Sequence, residues 1–190
     1  MKYPWIALVP IFIGLLLGQL GRFGSTTSSS GGLLFLDLAL GWYVAWGITT
    51  VCVTKRRIVT TLPHIFFIAF TVWAGGSLIA HLGILSPDNS TIALFYWIRL
   101  ALFAAAFFIT PTLIYSETNS NRLTKQLVMC GVLLTVFGYV QLIIFPNFAF
   151  MAKFGWDPHD GRLLSTFFDP NFFGMFLVII ISLLVVRILT

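Results

Sequence analysis

The chain has 190 residues, of which 58% are hydrophobic and 9% are charged, and its formal net charge is +5. Soluble domains carry about 45–50% apolar and about 25% charged residues, so this composition, with a mean hydropathy of +0.98, excludes an ordinary soluble domain. The basic residues lie in short links between apolar runs, where they set membrane orientation, and this excludes nucleic acid as a partner.

Six apolar runs are long enough to cross a bilayer, because about twenty helical residues at about 1.5 Å each span roughly 30 Å of hydrocarbon. In chain order they cover residues 4–20, 33–53, 62–80, 92–115, 127–145 and 172–189. None shows the alternation of a barrel strand, and an open sheet edge cannot be satisfied in lipid. The sequence predicts an all-α integral membrane protein with about six transmembrane helices. Five lie within residues 1–145, an aromatic-rich external loop covers 146–171, and the sixth helix covers 172–190.

The basic residues in the links predict the orientation. If six helices alternate, one side receives Lys2, Lys55, Arg56, Arg57, Arg122, Lys125 and Arg187. The positive-inside rule makes that side cytoplasmic. The opposite side receives the long loop 146–171, so we expect functional groups on the outer face.

Two charged residues fall inside the predicted spans. Arg99 lies about seven residues, or roughly 10 Å, inside the fourth run, and an unpaired charge at such depth costs at least about 2.5 kcal/mol. Asp37, at comparable depth in the second run, is the expected partner. Two interpretations stay open: a buried structural ion pair, or an arginine that holds an anionic substrate from the outer side.

The fifth run carries small and polar residues that predict helix packing. Gly131, Thr135 and Gly138 recur at helical spacing, which lets a neighbouring backbone approach closely. We expect Gln141 to hydrogen-bond to a neighbouring element rather than to contact a ligand.

The segment before the last run combines a helix start with an arginine. Asp169 suits the N-cap position and Pro170 the first helical position, where its missing N–H costs nothing. Asn171 falls in the first turn, and Arg162 is close enough in sequence to fold back over this helix end. A guanidinium beside helix N–H groups attracts anions, phosphate above all. Alternatively, Asp169 and Pro170 only start a helix and Arg162 is an interfacial anchor.

Aromatic residues around this loop predict a segment that lies along the membrane surface. They are Phe145, Phe148, Phe150, Phe154, Trp156, Phe167, Phe168, Phe172 and Phe173. A lipid with a phosphate headgroup would suit both the aromatic residues and the arginine. In the same loop, His159 between Asp157 and Asp160 is more typical of a solvated turn than of a metal site. We therefore predict neither a metal nor a cofactor.

The sequence Arg162-Leu-Leu-Ser-Thr-Phe-Phe-Asp-Pro-Asn-Phe-Phe-Gly174 resembles the start of the core domain of the O-antigen ligase and O-antigen polymerase family of bacterial membrane glycosyltransferases. That family typically shows an arginine, a small residue with Thr and Phe, then Asn-Pro-Asn, and a small residue inside the next helix. Here Ser165 stands where Gly is usual, and Asp169 stands where the first Asn is usual.

The resemblance implies that Arg162 contacts the diphosphate of an undecaprenyl-linked glycan, with Asp169 and Asn171 shaping the entrance beside it. The implied reaction is a metal-independent transfer of this glycan to a lipid A core, a glycan or a protein, at the outer face of the bacterial inner membrane. Ligase and polymerase differ only in that acceptor, and both remain open.

Members of the family are much longer and carry a catalytic histidine and a further arginine in a large external loop. No residue here matches that histidine, so we assign no catalytic residue and expect the chain to correspond to the N-terminal part of such an enzyme or to a degenerate member. Two other classes stay open. A transporter predicts further spans with polar or Gly/Pro breaks at the membrane midplane, and a non-enzymatic membrane scaffold predicts that the gene ends at Thr190.

Overall fold

The computed structural model describes residues 4–23, 32–154 and 158–189, and this part of the chain is almost entirely helical. The helices are α1 (Val9–Leu17), α2 (Phe35–Thr54), α3 (Leu62–His81), α4 (Pro87–Leu113), α5 (Glu117–Ile144) and α6 (Pro170–Leu189), with short 3₁₀ turns at Pro4–Leu8, Gly18–Gly21, Ala149–Phe154 and Ser165–Phe167. Two short antiparallel strands, β1 (Arg22–Phe23) and β2 (Leu33–Leu34), pair Arg22 with Leu34.

Within the described residues, five helices are long and apolar enough to cross a membrane, namely α2 to α6. The prediction of an all-α membrane protein with several spans is therefore confirmed. α4 and α5 are longer than expected, at about 40 Å each for about 1.5 Å per residue, and α5 begins at Glu117 instead of residue 127. The reason is that hydropathy marks the stretch in contact with hydrocarbon, whereas hydrogen bonding keeps the backbone helical beyond it.

The first apolar run differs from the expected continuous span. Its α-helical part is only Val9–Leu17, between two 3₁₀ turns. Pro10 is tolerated at the start of an α-helix, but its ring clashes with the carbonyl four residues earlier, so the preceding turn cannot be α-helical. Gly18, with φ of +49°, ends the helix in the left-handed region that glycine adopts without strain.

The chain divides into two compact units, Met1–Leu8 with Asp37–Ser116, and Val9–Leu36 with Glu117–Thr190. In the first unit, α4 packs against both α2 and α3. A Cβ atom at Gly47 of α2 would clash with the Ile109 side chain of α4, so only glycine allows this approach. On the other side of α4, Trp97 lies against Gly75 of α3 and donates its indole N–H to the Thr71 carbonyl at 3.1 Å.

The basic link after α2 closes over the end of α4. Arg56 donates from Nη1 to the Thr112 carbonyl at 3.3 Å, and its guanidinium lies 4.7 Å from the centre of the Tyr115 ring. The Val59 N–H donates to Thr112 Oγ1 at 3.1 Å. A cation at a helix C-terminus interacts favourably with the helix dipole, so Arg56 stabilises α4 as well as contributing to the predicted cytoplasmic charge.

In the second unit, α5 packs against α1, α6 and the Ser165–Phe167 turn. Gly131 faces Ile180, and Gly138 faces Phe173 and Leu163. Later residues of α5 therefore contact earlier residues of α6, so the two helices are antiparallel. Two of the three small residues that the sequence singled out on α5, Gly131 and Gly138, form this contact, as expected.

The two adjacent glycines of α3 provide a matched test of the α3/α4 contact. A Cβ atom at Gly75 would lie 2.7 Å from Trp97 Nε1, whereas one at Gly76 would meet nothing within 4 Å. We expect Gly75→Ala to lower the free energy of unfolding by about 1–3 kcal/mol, because a rigid, hydrogen-bonded indole must move. Gly76→Ala should be neutral or stabilising by up to about 1 kcal/mol, since Ala favours a helix. Titration of mixed micelles with a denaturing detergent measures both, and equal effects would contradict the contact.

Candidate functional site

Arg99 of α4 and Asp37 of α2 form a bidentate ion pair. Arg99 Nε donates to Asp37 Oδ1 at 2.7 Å, and Nη2 donates to Oδ2 at 2.6 Å. The Arg99 side chain is 26% exposed and that of Asp37 is 8% exposed. The expected pairing is confirmed, and parallel N–H···O bonds of this kind are among the stronger polar contacts in proteins.

The position of the pair within the helices differs from the prediction. Because α4 begins at Pro87 rather than residue 92, Arg99 lies about 18 Å from the start of its helix instead of about 10 Å. Asp37 lies in the first turn of α2, where the helix dipole stabilises a carboxylate. Of the two interpretations that the sequence left open, this geometry favours the structural ion pair, since the carboxylate already occupies two donors of the guanidinium.

Substitution of one partner tests the pair. We expect Arg99→Met to lower the free energy of unfolding by up to about 3–5 kcal/mol, because it removes the charged partner of a buried carboxylate. The double variant Arg99→Met with Asp37→Leu should recover most of that loss. Detergent titration measures both, and Arg187→Met, at an exposed arginine in the last turn of α6, is the control. A double variant no more stable than Arg99→Met alone would contradict the pairing.

Residues 162–169, called the 162–169 turn below, run back alongside α5 before α6 begins. The Gly161 N–H donates to the Pro146 carbonyl at 2.9 Å, so the turn starts level with the end of α5. Three residues later, the Leu164 N–H donates to Gln141 Oε1 at 3.0 Å. The Ser165 hydroxyl then donates to the Leu134 carbonyl at 2.7 Å, and Leu134 lies about 15 Å along the helix axis from Ile144.

Part of the predicted external loop 146–171 is therefore packed beside a membrane-spanning helix. Leu164, Ser165 and Thr166 are all buried. Non-helical backbone at such depth requires partners inside the protein, because hydrocarbon supplies none. Gln141 is such a partner for the Leu164 N–H, and the expectation that Gln141 bonds to a neighbouring element is confirmed.

Ser165 adopts a backbone conformation that favours glycine. Its φ is +53°, in the left-handed region that costs a residue with a Cβ atom about 1–2 kcal/mol. The hydroxyl bond to Leu134 offsets part of this cost. The backbone at Gly18 lies close to the turn, because a Cβ atom at Gly18 would be 2.5 Å from the Thr166 carbonyl oxygen.

Two substitutions separate these contributions at Ser165. Ser165→Ala removes the hydrogen bond and keeps the strain, so we expect the free energy of unfolding to fall by about 1 kcal/mol. Ser165→Gly also removes the bond but relieves about 1–2 kcal/mol of strain, so its stability should stay near that of the unsubstituted protein. Thermal unfolding in micelles compares the two. If the glycine variant is as unstable as the alanine variant, the left-handed backbone at Ser165 is not strained.

Asp169 caps α6, as the sequence predicted. Its Oδ1 accepts from the N–H groups of Asn171 at 2.7 Å and Phe172 at 3.1 Å, and its carbonyl accepts from the Phe173 N–H at 3.2 Å. Pro170 is the first helical residue. The free N–H groups that could attract an anion at this helix end are therefore occupied by the protein's own carboxylate. Positive charge for an anionic ligand must come from a side chain.

Arg162 and Asn171, at the two ends of this region, are both exposed. Neither side chain makes a hydrogen bond or ion pair with any residue in ranges 4–23, 32–154 and 158–189. The structure thus brings Arg162, Asp169 and Asn171 into the second compact unit, while Arg99 belongs to the first.

The aromatic residues form a packed cluster more than a surface layer. Phe148 lies 5.2 Å from Phe150 and 6.0 Å from Phe168 between ring centres, and Phe167 lies 6.2 Å from Phe173. Phe148 and Phe173 are buried. Phe145, Phe150 and Phe172 remain about half exposed, and they are the ones able to contact lipid headgroups. Trp156 and the Phe154 side chain lie outside the described part of the chain.

Sequence reasoning missed the residues that hold the turn in place. Ser165 and Gln141 were each noticed, but their partners, Leu134 and Leu164, carry no polar side chain and so gave no signal. Gly18 was also missed, although a glycine directly after an apolar run is typical of a helix end.

No protein-family model, no curated protein and no solved structure matches this chain.

Proposed function

We propose that the chain is part of a membrane glycosyltransferase of the O-antigen ligase type. In this proposal, the enzyme transfers a glycan from an undecaprenyl diphosphate carrier to an acceptor at the outer face of the bacterial inner membrane. Arg162 contacts the carrier diphosphate. One observation carries the proposal: an exposed arginine, without a partner among the described residues, stands at the head of a turn that is held against a membrane-spanning helix.

The chemistry explains why an arginine is needed there. Glycan transfer releases a diphosphate, and donors that stabilise the departing negative charge lower the barrier. A guanidinium is permanently charged and binds phosphate oxygens through two N–H groups at once. A base that activates the acceptor hydroxyl is also needed, and we assign no residue of this chain to that role.

The conformation of Ser165 supports the family resemblance. Glycine is usual at this position of the motif, and φ here is +53°, a value that glycine adopts freely. Ser165 therefore differs from the usual glycine in its side chain, but it keeps a backbone conformation that suits glycine.

The cap at Asp169 defines the roles of the remaining motif residues. Since Asp169 occupies the first N–H groups of α6, it shapes the helix start and does not itself attract the diphosphate. An asparagine, which is usual here in the family, would supply the same cap oxygen without the negative charge. Asn171, exposed in the first turn of α6, is free to donate to a phosphate oxygen.

Binding of a short carrier analogue tests the proposal. The chain is placed in phosphatidylcholine nanodiscs and titrated with farnesyl diphosphate, and farnesol serves as the ligand control. We expect Arg162→Gln to weaken the Kd by about 10–100-fold, because hydrogen bonds to charged groups contribute about 1.5–3 kcal/mol. Lys153→Gln, at another basic residue of the 146–171 region, should leave the Kd unchanged.

Asp169→Asn adds a second arm to the same titration. It retains the cap and removes one negative charge, so the Kd should be unchanged or tighter. If Arg162→Gln binds farnesyl diphosphate as well as the unsubstituted protein does, Arg162 is an interfacial anchor and the proposal fails.

A further inference from the structure

Gln141 uses both ends of its side-chain amide near the C-terminal end of α5. Its Oε1 accepts from the Leu164 N–H at 3.0 Å, and its Nε2 donates to the Phe145 carbonyl at 3.1 Å. Phe145 follows the last residue of α5, where helix carbonyls lack helical partners. One side chain thus satisfies the end of a helix and the backbone of the 162–169 turn together.

The hydrogen bonds on either side of Arg162 determine where it stands. Gly161 precedes it and bonds to Pro146, while Leu164 follows it and bonds to Gln141. Leu164 is only 1% exposed, so its N–H cannot turn to water if Gln141 is removed. The turn must then rearrange to satisfy that N–H, because a buried donor without a partner is strongly unfavourable. Arg162, two residues away, would move with it.

From this geometry we infer that Gln141 is a positioning residue, which holds the 162–169 turn so that Arg162 meets a diphosphate in one preorganised place. The inference rests on the function proposed above. In this role Gln141 acts through Arg162 and does not itself contact the diphosphate. Gln141 contributes to binding because it holds Arg162 in place beforehand, so the entropy cost of ordering Arg162 on binding is smaller.

The first experiment tests the hold on the turn without any ligand. In a Cys52→Ser background, Thr166→Cys places a thiol at a buried position of the turn, while the native Cys130 is itself buried. We expect Gln141→Leu to speed labelling by N-ethylmaleimide at least about 10-fold, since local opening exposes the thiol. Gln126→Leu is the matched control on the same helix. Its Oε1 is buried without a partner among the described residues, so the labelling rate should not change.

A conservative variant distinguishes loss of the hydrogen bond to Leu164 from general unfolding of the protein. Gln141→Glu keeps an oxygen that accepts from the Leu164 N–H but loses the donor to the Phe145 carbonyl, so its labelling rate should rise less than that of Gln141→Leu. If Gln141→Glu opens the turn as fully as Gln141→Leu does, the bond to Leu164 is not what holds it, and the inference is wrong.

The second experiment is a double-mutant cycle on farnesyl diphosphate binding. Gln141→Leu alone should weaken the Kd by about 5–10-fold, and the same substitution in an Arg162→Gln background should weaken it no further, because residues that act through one contact are not additive. Equal losses in both backgrounds would show a general structural effect and overturn the inference.

The two experiments also separate the inference from the function on which it rests. If Arg162→Gln leaves the Kd unchanged, the diphosphate contact fails and the positioning role falls with it, even where the labelling confirms the hold on the turn. If Arg162→Gln weakens binding but Gln141→Leu changes neither labelling nor Kd, the proposed function stands and the positioning role alone is refuted.

Discussion

Hydrocarbon offers no hydrogen-bond partner to a peptide group, and the rest of this structure depends on that constraint. Helices meet it internally along α2 to α6. The 162–169 turn cannot satisfy its peptide groups internally, because over most of its length it has no helical hydrogen bonds. Its backbone is acceptable there only because Gln141 accepts from Leu164, and because its residues 164–166 are buried within protein. The position of Arg162 follows from how that constraint is met.

Close approach of helices supports the same arrangement. Lipid tails are as apolar as leucine, so helices associate in membranes through tight packing and polar contacts rather than through the hydrophobic effect. Gly47, Gly75 and Gly131 each allow a neighbouring side chain to lie where a Cβ atom would be crowded. The Arg99–Asp37 pair adds a polar contact between α2 and α4. The first unit therefore holds its helices together by close packing and by an ion pair, and in the second unit α5 and α6 pack closely at Gly131.

Individual residues show where sequence reasoning succeeded and where it stopped. The cap at Asp169 was predicted because capping is local: the acceptor and its donors lie within four residues of one another. The Arg99–Asp37 pair was predicted because two opposite charges in apolar runs have few alternatives. The contact between Ser165 and Leu134 could not be predicted, because a backbone carbonyl is present at every residue and nothing marks the one that is used.

The sequence by itself determined the membrane environment, the helical class, the approximate spans and the start of α6, since each depends on composition or on neighbours along the chain. It also supplied the motif on which the proposed function is based. Tertiary structure alone decided that the loop before α6 turns back beside α5 and that Arg162 is left exposed. These features depend on which distant backbone groups come together, and in a membrane that choice is made by the requirement that every buried peptide group finds a partner.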